Sequence, residues 1–149
     1  MNVNDAWRSI FRIGVGLYWL YFASQKWTMG VGWMRPLIEH APASNPIPGL
    51  HEFLALVVAP NWFLFALLQT AGESVTAVLL VLGLASRKAA VLGFLLALNL
   101  ALTVAFETGD IGFRWLYYLA VLANAELVFV EPGRLALGRL SFVPAFLRE

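Results

Sequence analysis

The dominant pattern along this chain is a series of long apolar runs separated by shorter polar connections. None of the runs shows the period-2 alternation of a half-buried strand, and all are longer than strands usually are. Because about 20 helical residues cross a hydrocarbon core about 30 Å thick, each run is long enough to span a membrane. We therefore predict an all-α, single transmembrane domain over 1–149, with four spans at about 7–27, 62–85, 89–106 and 112–130.

The connections between the runs predict how the helices are arranged. Short polar links at 86–88 and 107–111 imply antiparallel neighbours, as in an up-down four-helix bundle. The connection 28–61 is longer and rich in proline and glycine. Within it, the apolar segment 49–60 is too short to span, so we expect a helix lying at the membrane interface.

Both ends of the chain carry interpretable patterns. Residues 21–27 are bulky where small residues would mark a signal-peptide cleavage site, so the first run is expected to stay attached. The segment 134–149 alternates basic and apolar residues. We interpret it as a short amphipathic helix on the inner leaflet, interrupted before Pro144, with a disordered tail as the alternative.

Composition supports the membrane interpretation and excludes several kinds of site. The chain is 60% hydrophobic and 13% charged, whereas soluble domains are about 45–50% apolar and about 25% charged. The absence of cysteine excludes disulfides, thiolate catalysis, iron–sulfur clusters and cysteine-ligated zinc. The net charge of +1 offers no basic field for nucleic acid.

The charges also predict an orientation. The positive-inside rule places the more basic side in the cytoplasm, so both termini should be cytoplasmic in a multi-pass protein of a prokaryotic (inner) cell membrane. The basic side carries Arg8, Arg12, Arg87, Lys88, Arg134, Arg139 and Arg148, and the opposite side mixes Lys26, Arg35 and Arg114 with Glu39, Glu52, Glu107 and Asp110. Most tryptophans would then lie at the outer interface, as in an aromatic belt.

Glu73 is the residue that the apolar pattern explains least. It lies eleven residues into the second run, about 16 Å deep at 1.5 Å per residue. By helical spacing it shares a face with Gln69, Gly72 and Thr76. Glu73 is either a proton carrier or hydrogen-bond partner for a polar-headed lipophilic ligand, or a carboxyl that joins helices by bonding Gln69 or Asn99.

Two further polar positions are candidates for the same site. In the third run, Asn99 and Thr103 form an i,i+4 polar pair that we place near mid-depth. Lys26 ends the first run, where it either snorkels to the headgroups or lines an opening between the first two spans.

The remaining polar residues favour structural roles or surface positions. Arg12 and Glu126 should lie at similar depth near the cytoplasmic side, and we predict an ion pair between the first and last helices. The only histidines, His40 and His51, belong to the outer loop, so no transmembrane haem ligation and no metal site is expected.

The order of several motifs resembles that of the DoxX/DoxD-like membrane proteins. Their first span has an Arg…Gly…Lys pattern, their second a Glu followed by a Gly-Leu-x-x-Arg exit, and their fourth ends in Gly-Pro-Gly-Arg-x-Ser-Leu-Asp. The matching residues here are Arg8, Arg12, Gly14, Gly16, Lys26, Glu73, the segment LGLASR at 82–87 and EPGRLAL at 131–137. The chain departs from the last motif at Glu131, Ala136 and Gly138, which replace Gly, Ser and Asp.

The resemblance implies a quinone-linked role. Some members are subunits of thiosulfate:quinone oxidoreductase, and others are linked to membrane oxidoreductase complexes. A quinone-binding subunit would place Glu73, Gln69 and Asn99 around the quinone head, with Lys26 near the mouth. Because nothing in the chain carries electrons, we expect a partner oxidoreductase subunit in addition to membrane lipids, with a homo-oligomer as a further candidate. The alternative is a non-catalytic membrane scaffold or assembly subunit.

Overall fold

The computed structural model describes residues 3–131 and 133–148. Within these two ranges the chain is helical and contains no β-strand. The α-helices are α1 (Val3–Met29), α2 (Arg35–Ser44), α3 (Leu50–Phe53), α4 (Trp62–Leu82), α5 (Ser86–Leu102) and α6 (Ile111–Phe129). An all-α fold is thereby confirmed. Of the described helical segments, Trp62–Leu82 and Ser86–Phe106 are long and apolar enough to cross a membrane.

The four long helices occupy the four predicted apolar runs, and local residues explain their ends. α4 stops where Gly83 adopts the left-handed conformation (φ 66°), a backbone geometry that glycine allows without strain. α6 starts after Asp110, whose side chain accepts a hydrogen bond of 2.7 Å from the backbone N–H of Gly112. α5 ends at Leu102, four residues before the end of the predicted run, and is followed by the 3₁₀ turn Val104–Phe106.

The long helices run antiparallel to their neighbours. Along α1, Arg12 contacts Leu80 near the end of α4, whereas Lys26 contacts Glu73 further back. α1 packs chiefly on α4, α5 on α6, and α4 also contacts α5. Small residues allow this close approach: a Cβ added to Gly16 would lie 2.8 Å from the backbone nitrogen of Val81.

The polarity of the structure is reversed relative to a soluble protein. Large apolar side chains are exposed along all four long helices, including Leu17, Leu20, Phe63, Leu64, Leu68, Val78, Leu95, Leu119 and Leu122. Ionisable and amide side chains, by contrast, are buried between the helices, including Arg12, Lys26, Gln69, Glu73 and Asn124. Apart from Trp19 and Leu80, the interior of the long-helix core is made mostly of alanines.

The connection between α1 and α4 contains more helix than the sequence predicts. The predicted helix in 49–60 is present as α3, which continues into one π-helical turn, Leu54–Val58. α2 is not predicted, because the prolines of this region were read as loop signals. Pro36 occupies the first turn of α2, where no backbone N–H is needed, and Pro42 falls in its final turns.

The C-terminal segment does not form the predicted amphipathic helix. It contains two short 3₁₀ turns, Leu137–Arg139 and Ala145–Leu147. Gly138 has a low helix propensity, and Pro144 lacks the N–H that a continuous helix needs. Backbone hydrogen bonds of 2.8 Å attach it to the turn after α4: Gly138 N–H donates to Gly83, and Ala85 N–H donates to Leu147. Pro132 of the resemblance motif and the terminal residue Glu149 lie outside the described residues.

Candidate functional site

The centre of the candidate site is an ion pair between Lys26 and Glu73. Lys26 comes from the last turn of α1 and Glu73 from the middle of α4, and the ammonium Nζ contacts the carboxylate Oε1. Lys26 is 6% exposed and Glu73 is fully buried. The snorkelling interpretation of Lys26 is therefore wrong. Its side chain turns inward and forms a charge-assisted hydrogen bond away from water.

Two amide side chains extend this pair across α4 to α5. Gln69 Nε2 donates to Glu73 Oε1 at 2.9 Å, and Asn99 Nδ2 donates to Gln69 Oε1 at 3.2 Å. The four predicted ligand-binding residues, Lys26, Glu73, Gln69 and Asn99, thus form one continuous hydrogen-bonded chain that we call the polar chain.

The polar pair predicted in the third run lies closer to the helix end than expected. Asn99 belongs to the last turn of α5 and is exposed, and Thr103 lies just beyond the helix. The Thr103 hydroxyl donates to the backbone carbonyl of Asn99 at 2.6 Å. The pair lies at the end of α5 because the helix ends four residues before the end of the predicted run.

The contacts described so far use only Oε1 of Glu73, and the second carboxylate oxygen, Oε2, takes no part in them. Among the residues that the structure describes, Oε2 has no hydrogen-bond partner, although the atom is buried. A buried acceptor without a donor costs about 1–3 kcal/mol, and a charged one costs more. Glu73 therefore retains the capacity to accept a hydrogen bond or a proton from a molecule that enters beside it.

Such a molecule has a place to enter. A cavity of about 120 Å³ lies against Lys26 and Glu73. Its walls are apolar, with as many aromatic as aliphatic residues, and we call it the aromatic cavity for its aromatic side chains Tyr18, Trp19, Phe22, Trp33, Phe113 and Tyr117. An apolar protein cavity of about 150 Å³ accommodates benzene, so this cavity is of the same order as one that holds a single six-membered ring, although somewhat smaller.

A second cavity, of about 300 Å³, lies on the other side of the polar chain. Gln69 and Asn99 line it, together with apolar residues of α2, α3, α4 and α5. The two cavities share four lining residues, Met34, Ile38, Leu100 and Val104. The polar chain therefore runs from an aromatic cavity at one end to an aliphatic cavity at the other.

The predicted ion pair between Arg12 and Glu126 is not formed. Arg12 is fully buried, and its guanidinium donates to the backbone carbonyls of Leu80 and Leu135. No ion pair joins Arg12 to Glu126 within the described ranges, and Glu126 lies exposed beside Arg8 at a surface pocket. The sequence correctly indicated that Arg12 faces inward, but its contacts join α1 to α4 and the C-terminal segment.

Sequence reasoning missed the aromatic walls of the site. Tyr18, Phe22 and Lys26 are spaced at i, i+4 and i+8, so they share one face of α1. That spacing was available as a signal. Trp19 is fully enclosed next to this face, and its indole N–H donates to Asn124 Oδ1 at 3.2 Å, which gives Asn124 a partner that the sequence did not suggest.

Taken together, the site offers a buried cation, a carboxylate with one open oxygen and a ring-sized aromatic cavity. These groups can bind a small polar head on an apolar body and can exchange a proton with it. No protein-family model, no curated protein and no solved structure matches this chain.

Proposed function

We propose that this chain is a multi-pass membrane protein in which α1, α4, α5 and α6 form a four-helix up-down bundle. The reversed polarity supports the proposal, since exposed leucines, valines and phenylalanines would face lipid while charged and amide groups face each other. In water, exposed apolar surface on every long helix would be an aggregation hazard. The positive-inside rule favours cytoplasmic termini in a prokaryotic inner membrane.

Within that bundle, the chain functions as a DoxX/DoxD-like subunit that binds quinone for a membrane oxidoreductase complex. The observation that carries this proposal is that Glu73, whose buried Oε2 has no partner among the described residues, lines an aromatic cavity of about 120 Å³. Both features suit a ring with oxygen substituents. A ligand without a hydrogen-bonding head would leave Oε2 unpaired.

Each residue of the site has a role that its contacts support. Glu73 Oε2 accepts a hydrogen bond from a hydroxyl on the reduced ring, and can take up its proton. Lys26 balances the charge of Glu73 and presents a donor to a ring oxygen. Gln69 holds Glu73 Oε1 at 2.9 Å, which leaves Oε2 as the atom available to ligand. The bound quinone would supply two-electron, two-proton chemistry, and the electrons would pass to or from a partner subunit.

The alternative role, a scaffold or assembly subunit, also has an observation in its favour. Lys26 and Gln69 both engage Glu73 Oε1, and Asn99 continues the polar chain, so these residues join α1, α4 and α5 without any ligand. Under this alternative, replacing Glu73 would alter stability but no binding reaction.

Direct titration with a short-tailed benzoquinol, kept reduced, distinguishes the two roles, because the reduced ring carries the hydroxyl that donates to Glu73 Oε2. Trp19 and Trp33 line the cavity, so bound quinol should change the tryptophan fluorescence of the detergent-purified protein. Loss of a charge-assisted hydrogen bond in Glu73→Gln should weaken binding about ten-fold or more. Glu39→Gln is the matched control, because Glu39 is an exposed carboxylate of α2. Unchanged affinity in both Glu73→Gln and Asn99→Ala would exclude the quinone site and leave the scaffold role.

A further inference from the structure

A second site lies at the opposite end of the molecule from the Lys26 end of α1, where the turn between α4 and α5 meets the C-terminal segment. An open groove of about 870 Å³ is lined by four cationic side chains, from Arg87, Lys88, Arg139 and Arg148. We call it the basic groove. These four residues come from two parts of the chain that are far apart in sequence, so the fold has gathered them at one place.

The cations of the basic groove have little to neutralise them. In residues 3–131 and 133–148, none of the four takes part in an ion pair. Among the lining residues that the structure describes, Glu131 is the one acidic residue, and it lies 3.8 Å from the guanidinium of Arg8. The described groove therefore has an excess of positive charge that is available to an anion.

The start of α5 adds to this positive potential. Arg87 and Lys88 fall in its first turn, and no acidic residue is present there. The N-terminal end of a helix carries a partial positive charge, so acidic residues are the usual occupants and cations are unfavourable. An anion bound in the groove would relieve this repulsion.

Hydrogen bonds hold the groove in shape. Lys88 Nζ donates to the carbonyl of Phe146 at 3.2 Å, which fixes the C-terminal segment against α5. Arg148 donates from Nε to Val143 at 2.8 Å and from Nη2 to Ser141 at 2.6 Å. Arg87 and Arg139 remain exposed, and their planar guanidinium groups match the geometry of phosphate oxygens.

The surroundings of the groove are apolar. Val91 of α5 and Val130, the residue that follows α6, line it, and Val91 is exposed. On the C-terminal segment, Phe142 is 80% exposed and Phe146 is 68% exposed. This arrangement matches the two parts of a phospholipid. The cations can bind its phosphate, and the apolar residues can contact its acyl chains.

We infer that the basic groove binds the phosphate of an anionic phospholipid, with the lipid's acyl chains lying along Val91 and Val130. The inference uses the membrane placement proposed above but is independent of the quinone site. A free phosphate ion would match the cations equally well, but it would make no use of the apolar walls.

The test measures which lipids the purified protein retains. The protein is equilibrated in mixed micelles with equal amounts of phosphatidylglycerol and phosphatidylcholine of identical acyl chains, and bound lipids are counted by native mass spectrometry. We expect the wild type to retain phosphatidylglycerol preferentially. The double variant Arg87→Gln, Arg139→Gln should lose that preference by about ten-fold or more, from the contribution of each cation near an anionic lipid.

The matched control is Arg35→Gln, Arg114→Gln, which removes the same charge from the other end of the molecule and should retain the lipid as the wild type does. Equal retention of the two lipids by the wild type would overturn the inference. It would also be overturned if the Arg87→Gln, Arg139→Gln variant retained phosphatidylglycerol with the same preference as the wild type. Displacement of the lipid by millimolar inorganic phosphate would assign the site to free phosphate and also overturn it. Quinone titration of the groove variant should be unchanged, so failure of this site and failure of the quinone site give different results.

Discussion

The ion pair between Lys26 and Glu73 makes a quantitative prediction about stability. Both side chains are almost entirely removed from solvent, with side-chain exposures of 7% and 0%. Removing one partner leaves an uncompensated buried charge, which costs about 3–5 kcal/mol, whereas replacing both partners with neutral groups of similar shape is often close to neutral. Lys26→Met and Glu73→Gln should therefore each be strongly destabilising, and the double variant should be less destabilised than either.

A double-mutant cycle measures this coupling. Unfolding of the detergent-solubilised protein by a denaturing detergent, followed by far-ultraviolet circular dichroism, gives the free energy of unfolding for each variant. We expect a coupling energy of about 2 kcal/mol or more. The control cycle is Arg35→Met and Glu39→Gln, an i,i+4 pair at 2.7 Å with side chains 57% and 39% exposed, where about 0.3–0.5 kcal/mol is expected. Additive effects at Lys26 and Glu73 would refute the buried pair.

Two further predictions concern packing and the loop. Gly16→Ala should destabilise the protein by about 1–3 kcal/mol, because the added Cβ would lie 2.8 Å from Val81. The control is Gly14→Ala, whose added Cβ has no atom within 4 Å and should leave the free energy of unfolding unchanged or slightly higher. Equal effects of the two substitutions would contradict the close approach of α1 and α4. Hydrogen bonds from the backbone N–H groups of Glu52 and Gly49 lower the pKa of Glu52 below its usual 4.5, so a carbon-13 NMR titration should give a value under 4.5. Because the pKa of Glu52 is lower in the folded state than in the unfolded state, the ionised carboxylate stabilises this part of the connection between α1 and α4 above about pH 4.5. That stabilisation is lost as the pH falls through the folded-state pKa. Glu52→Gln should remove this dependence of stability on pH.

The long helices could be predicted from the sequence because their signal is local and strong. Runs of 18 or more apolar residues have few alternatives to a helix, and Gly83 and Asp110 mark two of the ends. The sequence does not predict α2, because prolines such as Pro36 and Pro42 usually indicate a loop. A helix tolerates proline in its first turn, but this position can be recognised only when the start of the helix is known. The predicted C-terminal helix is wrong for a different reason: the amphipathic pattern does not reveal that Gly138 and Leu147 form backbone hydrogen bonds with the turn after α4.

The candidate site was predictable as a set of residues but not as a geometry. Polar groups in apolar helices are few, so Lys26, Glu73, Gln69 and Asn99 stand out. Which of them touch depends on helix pairing. Arg12 illustrates this best. Its guanidinium donates to the backbone carbonyls of Leu80 and Leu135, and a sequence does not indicate which backbone carbonyl a side chain will contact. The aromatic cavity likewise depends on how α1, α2 and α6 converge.

The measurement that tests the central claim most directly is mass spectrometry of the lipids extracted from gently purified protein, comparing the wild type with Glu73→Gln. Quinone and quinol together should be present at about one molecule per chain in the wild type and should be lost in the variant, because the proposed site binds the reduced ring through a hydrogen bond to Glu73 Oε2, which has no partner among the described residues. Adding quinone back before extraction controls for stripping by detergent. Absence of quinone from the wild type after that addition, or equal amounts in both proteins, would contradict the proposed quinone site.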